Sequence, residues 1–154
     1  MLSKLRNLFT PDEGDEASTP LVDNELQLAT AVLLVRASVI DGEKDPAETA
    51  KLSKLLKDRF ELSSEDVDEL IVQAGQKEEE AVDLYSFTRV ITKKLDLDGR
   101  RRVVEMLWEM AFADGVLDDY EANLIWRVSE LVGVSTRERV ELRKAVVARR
   151  EDKA

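Results

Sequence analysis

Two short stretches of the chain repeat one acidic pattern. Both read Asp-Gly-x-x-Asp-x-x-Glu, one over residues 41–48 and the other over residues 114–121. Carboxylate oxygens are the ligands that Ca²⁺, Mg²⁺ and Mn²⁺ prefer, and each pattern offers three of them around one tight turn. The spacing is not that of an EF-hand loop. The candidate ligands for a divalent cation are Asp41, Asp45, Glu48, Asp114, Asp118 and Glu121, and the candidate turn residues are Gly42 and Gly115.

Helix geometry offers a second interpretation of the same residues. The two glycines suit the left-handed position just past a helix end. The second aspartate of each pattern suits an N-cap, and the glutamate suits the third helical position, where it completes a capping box. The first aspartate fits less well, because the helix dipole disfavours a negative charge at a helix C-terminus. A bound cation or a hydrogen bond to the turn would compensate, and both interpretations stay open.

Composition removes most enzyme classes. The chain has no Cys and no His, so it can form no disulfide, no thiolate or imidazole metal site and no Ser-His-Asp triad. No nucleophile motif or Gly-rich phosphate loop is present, and we predict that the protein is not an enzyme. The formal charge of −10 opposes nucleic-acid binding, and we interpret the basic run at residues 100–102 as a solvated helix start. Because the chain has no Cys and no His, any metal ion bound at the two acidic patterns must be one that accepts oxygen ligands alone.

The hydrophobic pattern is helical from residue 24 onward, with no alternating strand pattern. It predicts an all-α, compact bundle of about seven helices, built from an internal pseudo-repeat of helix-turn-helix units. The first and fifth helices are apolar on most sides and are therefore predicted to be central. Trp108 and Trp126 are predicted to pack in the core. The expected helices cover residues 25–40, 46–60, a third capped by Ser63 or Ser64, a fourth around 84–95, then 99–113, 119–132 and a seventh from the Ser135/Glu138 cap to about 149.

The expected domain boundary separates residues 1–23 from a helical domain over residues 24–150. Residues 2–9 place Leu2, Leu5, Leu8 and Phe9 near one helical face with Lys4 and Arg6 among them. This segment is interpreted either as a weak peripheral membrane contact or as a helical turn that is frayed or docked on the core. Residues 10–23, rich in acids and proline, are predicted to form a flexible linker.

The charge is unevenly distributed between the two halves of the chain. Residues 11–83 hold 7 basic and 20 acidic residues, whereas residues 84–154 hold 14 and 13. Such asymmetry would orient a basic protein partner, or it could serve solubility alone. The oligomeric state cannot be read from the sequence.

Several motifs together resemble the tellurite resistance protein TerB family, in particular its uncharacterised bacterial branch. They are the two Asp-Gly turns, the segment Asp-Leu-Tyr-Ser-Phe-Thr-Arg at 83–89 and the segment Leu-Trp-Glu-Met-Ala-Phe-Ala-Asp at 107–114. The resemblance covers about residues 24–148. It implies a compact bundle of about seven helices with internal pseudo-symmetry, and it identifies no catalytic reaction.

The resemblance also implies a function. It suggests a bacterial cytoplasmic module, in part membrane-associated, that serves tellurite or metal stress and binds a divalent cation (Ca, Mg or Mn) through the six carboxylates named above. A protein partner is expected, such as the cytoplasmic face of a membrane protein. The alternative is a protein-interaction scaffold or co-chaperone-type adaptor with no metal role.

Overall fold

The computed structural model describes residues 24–38, 46–112 and 119–153, and in these ranges the chain forms seven α-helices and no β-strand. The all-α prediction is therefore confirmed. Residues 1–23, 39–45, 113–118 and 154 lie outside the described ranges. The helices are α1 (Asn24–Ser38), α2 (Pro46–Phe60), α3 (Ser64–Glu80), α4 (Tyr85–Lys94), α5 (Leu97–Ala111), α6 (Asp119–Val132) and α7 (Thr136–Lys153).

Helices α1 and α5 form the centre of the bundle, as their sequences predict. Helix α1 packs against α2, α3, α4 and α5, and α5 packs against α1, α2, α6 and α7. Leu33 and Leu34 of α1 and Met106 and Leu107 of α5 are fully buried. A helix that is apolar on most sides is stable in water only when neighbours cover it, which explains the central position. None of the described helices combines the length and the apolar content needed to cross a bilayer.

The internal repeat extends over three helices in each copy. The first and last residues of α5 follow those of α1 at one constant offset, and the first residue of α6 follows that of α2 at the same offset. The two acidic patterns of the sequence are separated by this offset as well. Helices α3 and α7 follow the same order, α4 lies between the two sets, and within each set the three helices pack in the same three pairs. We call α1–α3 the first copy and α5–α7 the second copy.

The junction between the second and third helix has the same geometry in both copies. Glu61 and Gly133 each follow a helix end with a left-handed backbone, at φ values of 53° and 77°. The next residue, Leu62 or Val134, donates its N–H to the carbonyl five positions earlier, at 3.2 and 2.9 Å. Both next residues are buried. This is a Schellman motif, in which a left-handed residue ends the helix and an apolar side chain seals it.

The two tryptophans have different environments, which corrects the prediction for one of them. Trp108 is 3% exposed, its Nε1 donates to the carbonyl of Arg139 at 3.1 Å, and its ring stacks on Phe112 with centroids 5.9 Å apart. Trp126 is 46% exposed, so the expectation that it packs in the core was wrong. The reason is helical phase, since its neighbour Ile125 lies on the buried face of α6 and Trp126 points away from it.

Candidate functional site

The structure describes two of the six candidate ligands of the acidic turns, Glu48 and Glu121. Each is the third residue of its helix, which confirms the predicted register. Glu48 is half-buried, and Glu121 is only 3% exposed. The four aspartates (Asp41, Asp45, Asp114 and Asp118) and both glycines (Gly42 and Gly115) lie outside the described residues. Within the described residues, no group of three or more acidic side chains is arranged to hold a metal ion.

Arg36 links α1 to helices of both copies. It lies in the last turn of α1, and its Nε donates to Glu78 Oε2 of α3 at 2.5 Å. It also interacts with Tyr120, one residue before Glu121 in α6. Partial burial lowers the pKa of Arg36, but the hydrogen bond and charge of Glu78, together with Tyr120, outweigh burial, so the pKa is raised above its ordinary value. Arg36 therefore keeps its charge and joins α1, α3 and α6.

A cavity of about 400 Å³ opens between the start of α1 and the first half of α3. Three leucines provide its apolar surface: Leu28, Leu62 and Leu70. Three carboxylates and three amides surround them: Glu25, Asp66, Glu69, Asn24, Gln27 and Gln73. We call this cavity the acidic groove. The combination of apolar floor and polar rim suits one partially apolar ligand with a cationic end.

The carboxylates of the acidic groove differ in how they are paired. Glu25 lies 3.3 Å from Lys94 Nζ. Asp66, which is mostly buried, receives no cation from any described residue, and neither does Glu69. The backbone N–H of Asp66 donates to Ser63 Oγ at 3.1 Å, the predicted N-cap of α3. The groove thus has a negative rim whose inner carboxylates lack a described counter-charge.

The second copy has positions equivalent to those of the acidic groove, and in it an arginine fills the corresponding space. The offset that relates α1 to α5 places Arg101 at the position of Leu28, and Asp98 at that of Glu25. Glu138 follows its N-cap Ser135 at the same distance along the chain as Asp66 follows Ser63, so these two carboxylates are equivalent.

The guanidinium of Arg101 bridges the equivalents of two groove carboxylates. Its Nε donates to Glu138 Oε2 at 2.7 Å, and its Nη1 lies 3.3 Å from Asp98 Oδ1. Arg101 thereby joins α5 to α7 at the place where, in the first copy, the acidic groove separates α1 from α3.

Glu138 is held as a carboxylate by this arrangement. The backbone N–H of Ser135 donates to Glu138 Oε1 at 3.0 Å, and Ser135 Oγ accepts from the Glu138 N–H at 3.1 Å, which confirms the predicted capping box. These hydrogen bonds, first from the Ser135 backbone and then from Arg101, lower the pKa of Glu138 to about 2. The second copy thus shows which chemistry this position accepts, namely a guanidinium on a carboxylate.

The acidic groove was not among the sites predicted from the sequence. Asp66 and Leu28 each look like ordinary members of amphipathic helices when read alone. The signal lies in the alignment of the two copies, where a leucine in one stands opposite an arginine in the other. In the first copy the arginine is missing and the carboxylate remains, so the groove can accept a cationic side chain from elsewhere.

Comparisons with known proteins agree with the architecture. The family model described as "Tellurite resistance protein TerB" matches residues 27–144. A crystal structure of a protein of unknown function from Porphyromonas gingivalis W83 has a similar fold, with a TM-score of 0.58 at 22% identity over 80% of this chain and 96% of that one. No curated protein has a significant match to the chain. Since the family model spans most of the chain and the bundle has the helix order and repeat expected of it, the chain belongs to the tellurite resistance protein TerB family.

Proposed function

We propose that the protein is a non-enzymatic helical adaptor whose acidic groove binds a basic amphipathic segment of a protein partner. The observation that carries this proposal is the arginine of the second copy, which bridges the carboxylates equivalent to Glu25 and Asp66. In the first copy, Leu28 stands at that arginine's position. A partner arginine or lysine would supply the missing cation.

The groove suits such a side chain in both its parts. The apolar stem of an arginine would pack on Leu28 and Leu70, while the guanidinium would meet Asp66 and Glu69 at the rim. A hydrogen bond to a charged group contributes about 1.5–3 kcal/mol. The leucines of an amphipathic segment would add apolar burial. Binding is therefore expected to depend on salt, because part of the attraction is between charges near solvent.

The first test replaces a leucine of the groove by arginine. The probe is a fluorescein-labelled twelve-residue peptide with leucine at every third or fourth position and arginine between. The variant Leu28→Arg places in the first copy the residue that fills the second, and we expect it to weaken peptide binding about tenfold or more, the equivalent of about 1.4 kcal/mol. The control Leu28→Met conserves volume and apolar character and should bind within about twofold of wild type. Fluorescence anisotropy measures both.

A charge-matched pair separates the groove from general acidity. Glu69→Lys at the rim and Glu130→Lys on the exposed side of α6 change the net charge equally. Only the rim variant should weaken binding of the peptide. Equal weakening by both variants would mean that bulk charge attracts the peptide, and unchanged binding by Leu28→Arg would rule out the groove. Melting temperatures of all variants verify that each one is folded.

We propose the acidic turns as a second candidate site, for a divalent cation. The supporting observation is that Glu48 and Glu121 occupy the same position at the start of α2 and α6, and that Glu121 is buried there. At 100 times its dissociation constant, a cation bound only to the folded chain would add about 2.7 kcal/mol of stability. Isothermal titration with Ca²⁺, Mg²⁺ and Mn²⁺ should therefore give heat with wild type and less with Asp114→Asn. Absence of heat and an unchanged melting temperature at millimolar cation would contradict the site.

The cellular process proposed for this adaptor is the bacterial cytoplasmic response to tellurite and metal stress, in keeping with the family description. The two candidate sites differ in one respect that experiments can use. Peptide binding through the acidic groove should persist in chelator, whereas any effect of the turns should be lost with the cation.

A further inference from the structure

We infer that the basic partner of the acidic groove is a second copy of this chain, which docks through the outer side of its helix α7. This inference rests on the proposed function, to which it adds the identity of the partner. Val140, Lys144 and Val147 recur along α7 at the spacing by which an amphipathic helix enters a groove, and Arg143 lies beside them. We call these four residues the α7 face.

The third helices of the two copies carry opposite charge. Helix α3 has seven acidic residues and one basic residue, whereas α7 has seven basic and four acidic residues. The α3 helix of one molecule therefore attracts the α7 helix of another, and contacts between two α3 helices or two α7 helices are disfavoured. The net charge of −10 opposes approach at long range, but salt at 0.15 M screens charges beyond about 8 Å, so the charges of the facing helices determine the contact.

Lys144 is the cation of the α7 face that is available to a partner. It is exposed, and no described residue pairs a carboxylate with it. Arg143, in contrast, lies over the ring of Trp108 of its own molecule, 5.7 Å from the centroid. The nearby acid Glu141 lies 3.6 Å from Arg137 on the same helix. Lys144 can therefore enter the groove of another molecule without breaking an ion pair among the described residues.

The dimensions of the two surfaces agree. The two valines of the α7 face are about 10 Å apart along the helix, from a rise of about 1.5 Å per residue, and the same length of α3, residues 66–73, lines the acidic groove. With the two helices side by side, the valines would pack on the leucines of the groove while Lys144 meets Asp66 and Glu69. Lys144 of one molecule would then supply to the first copy of another the cation that Arg101 supplies to the second copy.

The contact joins two different surfaces of the molecule. Helix α7 packs on α5 and α6 of its own chain, whereas the acidic groove lies between α1 and α3. Each molecule in such a contact keeps one free groove or one free α7 face, so association continues beyond the dimer into chains or rings. The contact of one helix with one groove belongs to the class of small, transient interfaces, and we expect a dissociation constant on the order of 0.1 mM.

Two variants that each lose one surface test the contact on the full chain. Leu28→Arg fills the groove, and Lys144→Ala removes the cation of the α7 face. Sedimentation velocity from about 10 μM to 1 mM in 0.15 M salt should show dimers and larger species for wild type, and association at least about tenfold weaker for each variant alone. An equimolar mixture should associate again and stop at the dimer, because only one groove and one α7 face are intact. Lys93→Ala on the exposed side of α4 is the control for charge and should associate as wild type does.

Three outcomes of this experiment would overturn the inference. They are a wild-type chain that stays monomeric at 1 mM, a mixture that stays monomeric, and a loss of association with Lys93→Ala equal to that with Lys144→Ala. Charge exchange gives a second measurement that does not depend on the folding of Leu28→Arg. Glu69→Lys and Lys144→Glu should each weaken association, and the two together in one chain should restore it. A double variant as weak as the single variants would contradict the pairing of these two residues.

The labelled peptide of arginine and leucine distinguishes this inference from the function on which it rests. At saturating concentration it should dissociate the wild-type assemblies, since peptide and α7 face compete for one groove. Assemblies that persist with the peptide bound would overturn docking of α7 in the groove, as would a monomeric wild-type chain that binds the peptide, and in both cases the groove remains a binding site. Peptide binding that Leu28→Arg leaves unchanged would contradict the proposed function itself.

Discussion

Replacing Trp108 by alanine is expected to lower the free energy of unfolding by about 3–5 kcal/mol, the range for removing a large buried aromatic side chain. Three features of the structure set this magnitude. The side chain is 3% exposed, it stacks on Phe112, and its Nε1 donates to the carbonyl of Arg139 in α7. Its loss would leave a cavity at the contact of α5 with α7 and remove a hydrogen bond that joins the two helices. Urea denaturation followed by circular dichroism measures the change.

The matched control is the same substitution at the other tryptophan. Trp126 is 46% exposed on α6, so Trp126→Ala removes little buried surface and should cost less than about 1 kcal/mol. A cost at Trp126 equal to that at Trp108 would show that α6 presents a different face to the core. Trp108→Phe separates the two contributions at the buried site, because it keeps an aromatic ring and removes the hydrogen bond to Arg139.

Two residues that end helices with a left-handed backbone, Glu61 and Gly133, allow opposite substitutions. Replacing the glycine by alanine and the glutamate by glycine is expected to change the free energy of unfolding in opposite directions. Gly133→Ala should destabilise by about 1–2 kcal/mol, since a left-handed backbone costs a residue with a Cβ that amount. The added Cβ would also lie 3.0 Å from the Arg100 guanidinium, which donates to the Val132 carbonyl at 2.8 Å and caps α6. Glu61→Gly removes the same backbone strain from the first copy, and it should stabilise by about 0.5–1 kcal/mol after the entropy of glycine in the unfolded chain is subtracted.

Urea denaturation of the two variants and of the double variant measures these opposite changes in the free energy of unfolding. The sites lie in different copies, so their effects should add. Glu61→Ala serves as the control for loss of the Glu61 side chain, because alanine keeps the strained backbone. A stabilisation by Glu61→Ala equal to that by Glu61→Gly would attribute the gain to charge and would contradict the backbone explanation.

The elements that depend on local chemistry could be predicted from the sequence. The N-caps Ser63 and Ser135, the capping box of Glu138 and the third-position glutamates Glu48 and Glu121 all follow from short-range hydrogen bonding at helix starts. The central position of α1 follows equally directly, because a helix apolar on most sides has to be covered.

The features that depend on how the helices pack against one another could not be predicted from the sequence. Whether Trp126 faces the core depends on which side of α6 meets α5. The preceding residue, Ile125, is buried because it lies on that side, whereas Trp126 lies on a different side of the same helix. The acidic groove likewise arises because the packing of α1 on α3 brings together Leu28 and Asp66, which are distant in the chain. Its chemistry became apparent only through the contact of Arg101 with Glu138 in the second copy.

The three-helix repeat also determines the valency of the molecule. Two matching units that pack through α1 and α5 resemble a dimer whose subunits have been joined in one chain, and in a dimer of identical subunits every surface occurs twice. Joining the units in one chain allows each to change independently. Here Arg101 closes one of the two equivalent pockets and Leu28 leaves the other open, so a partner that recognises this pocket would bind with a stoichiometry of one per chain.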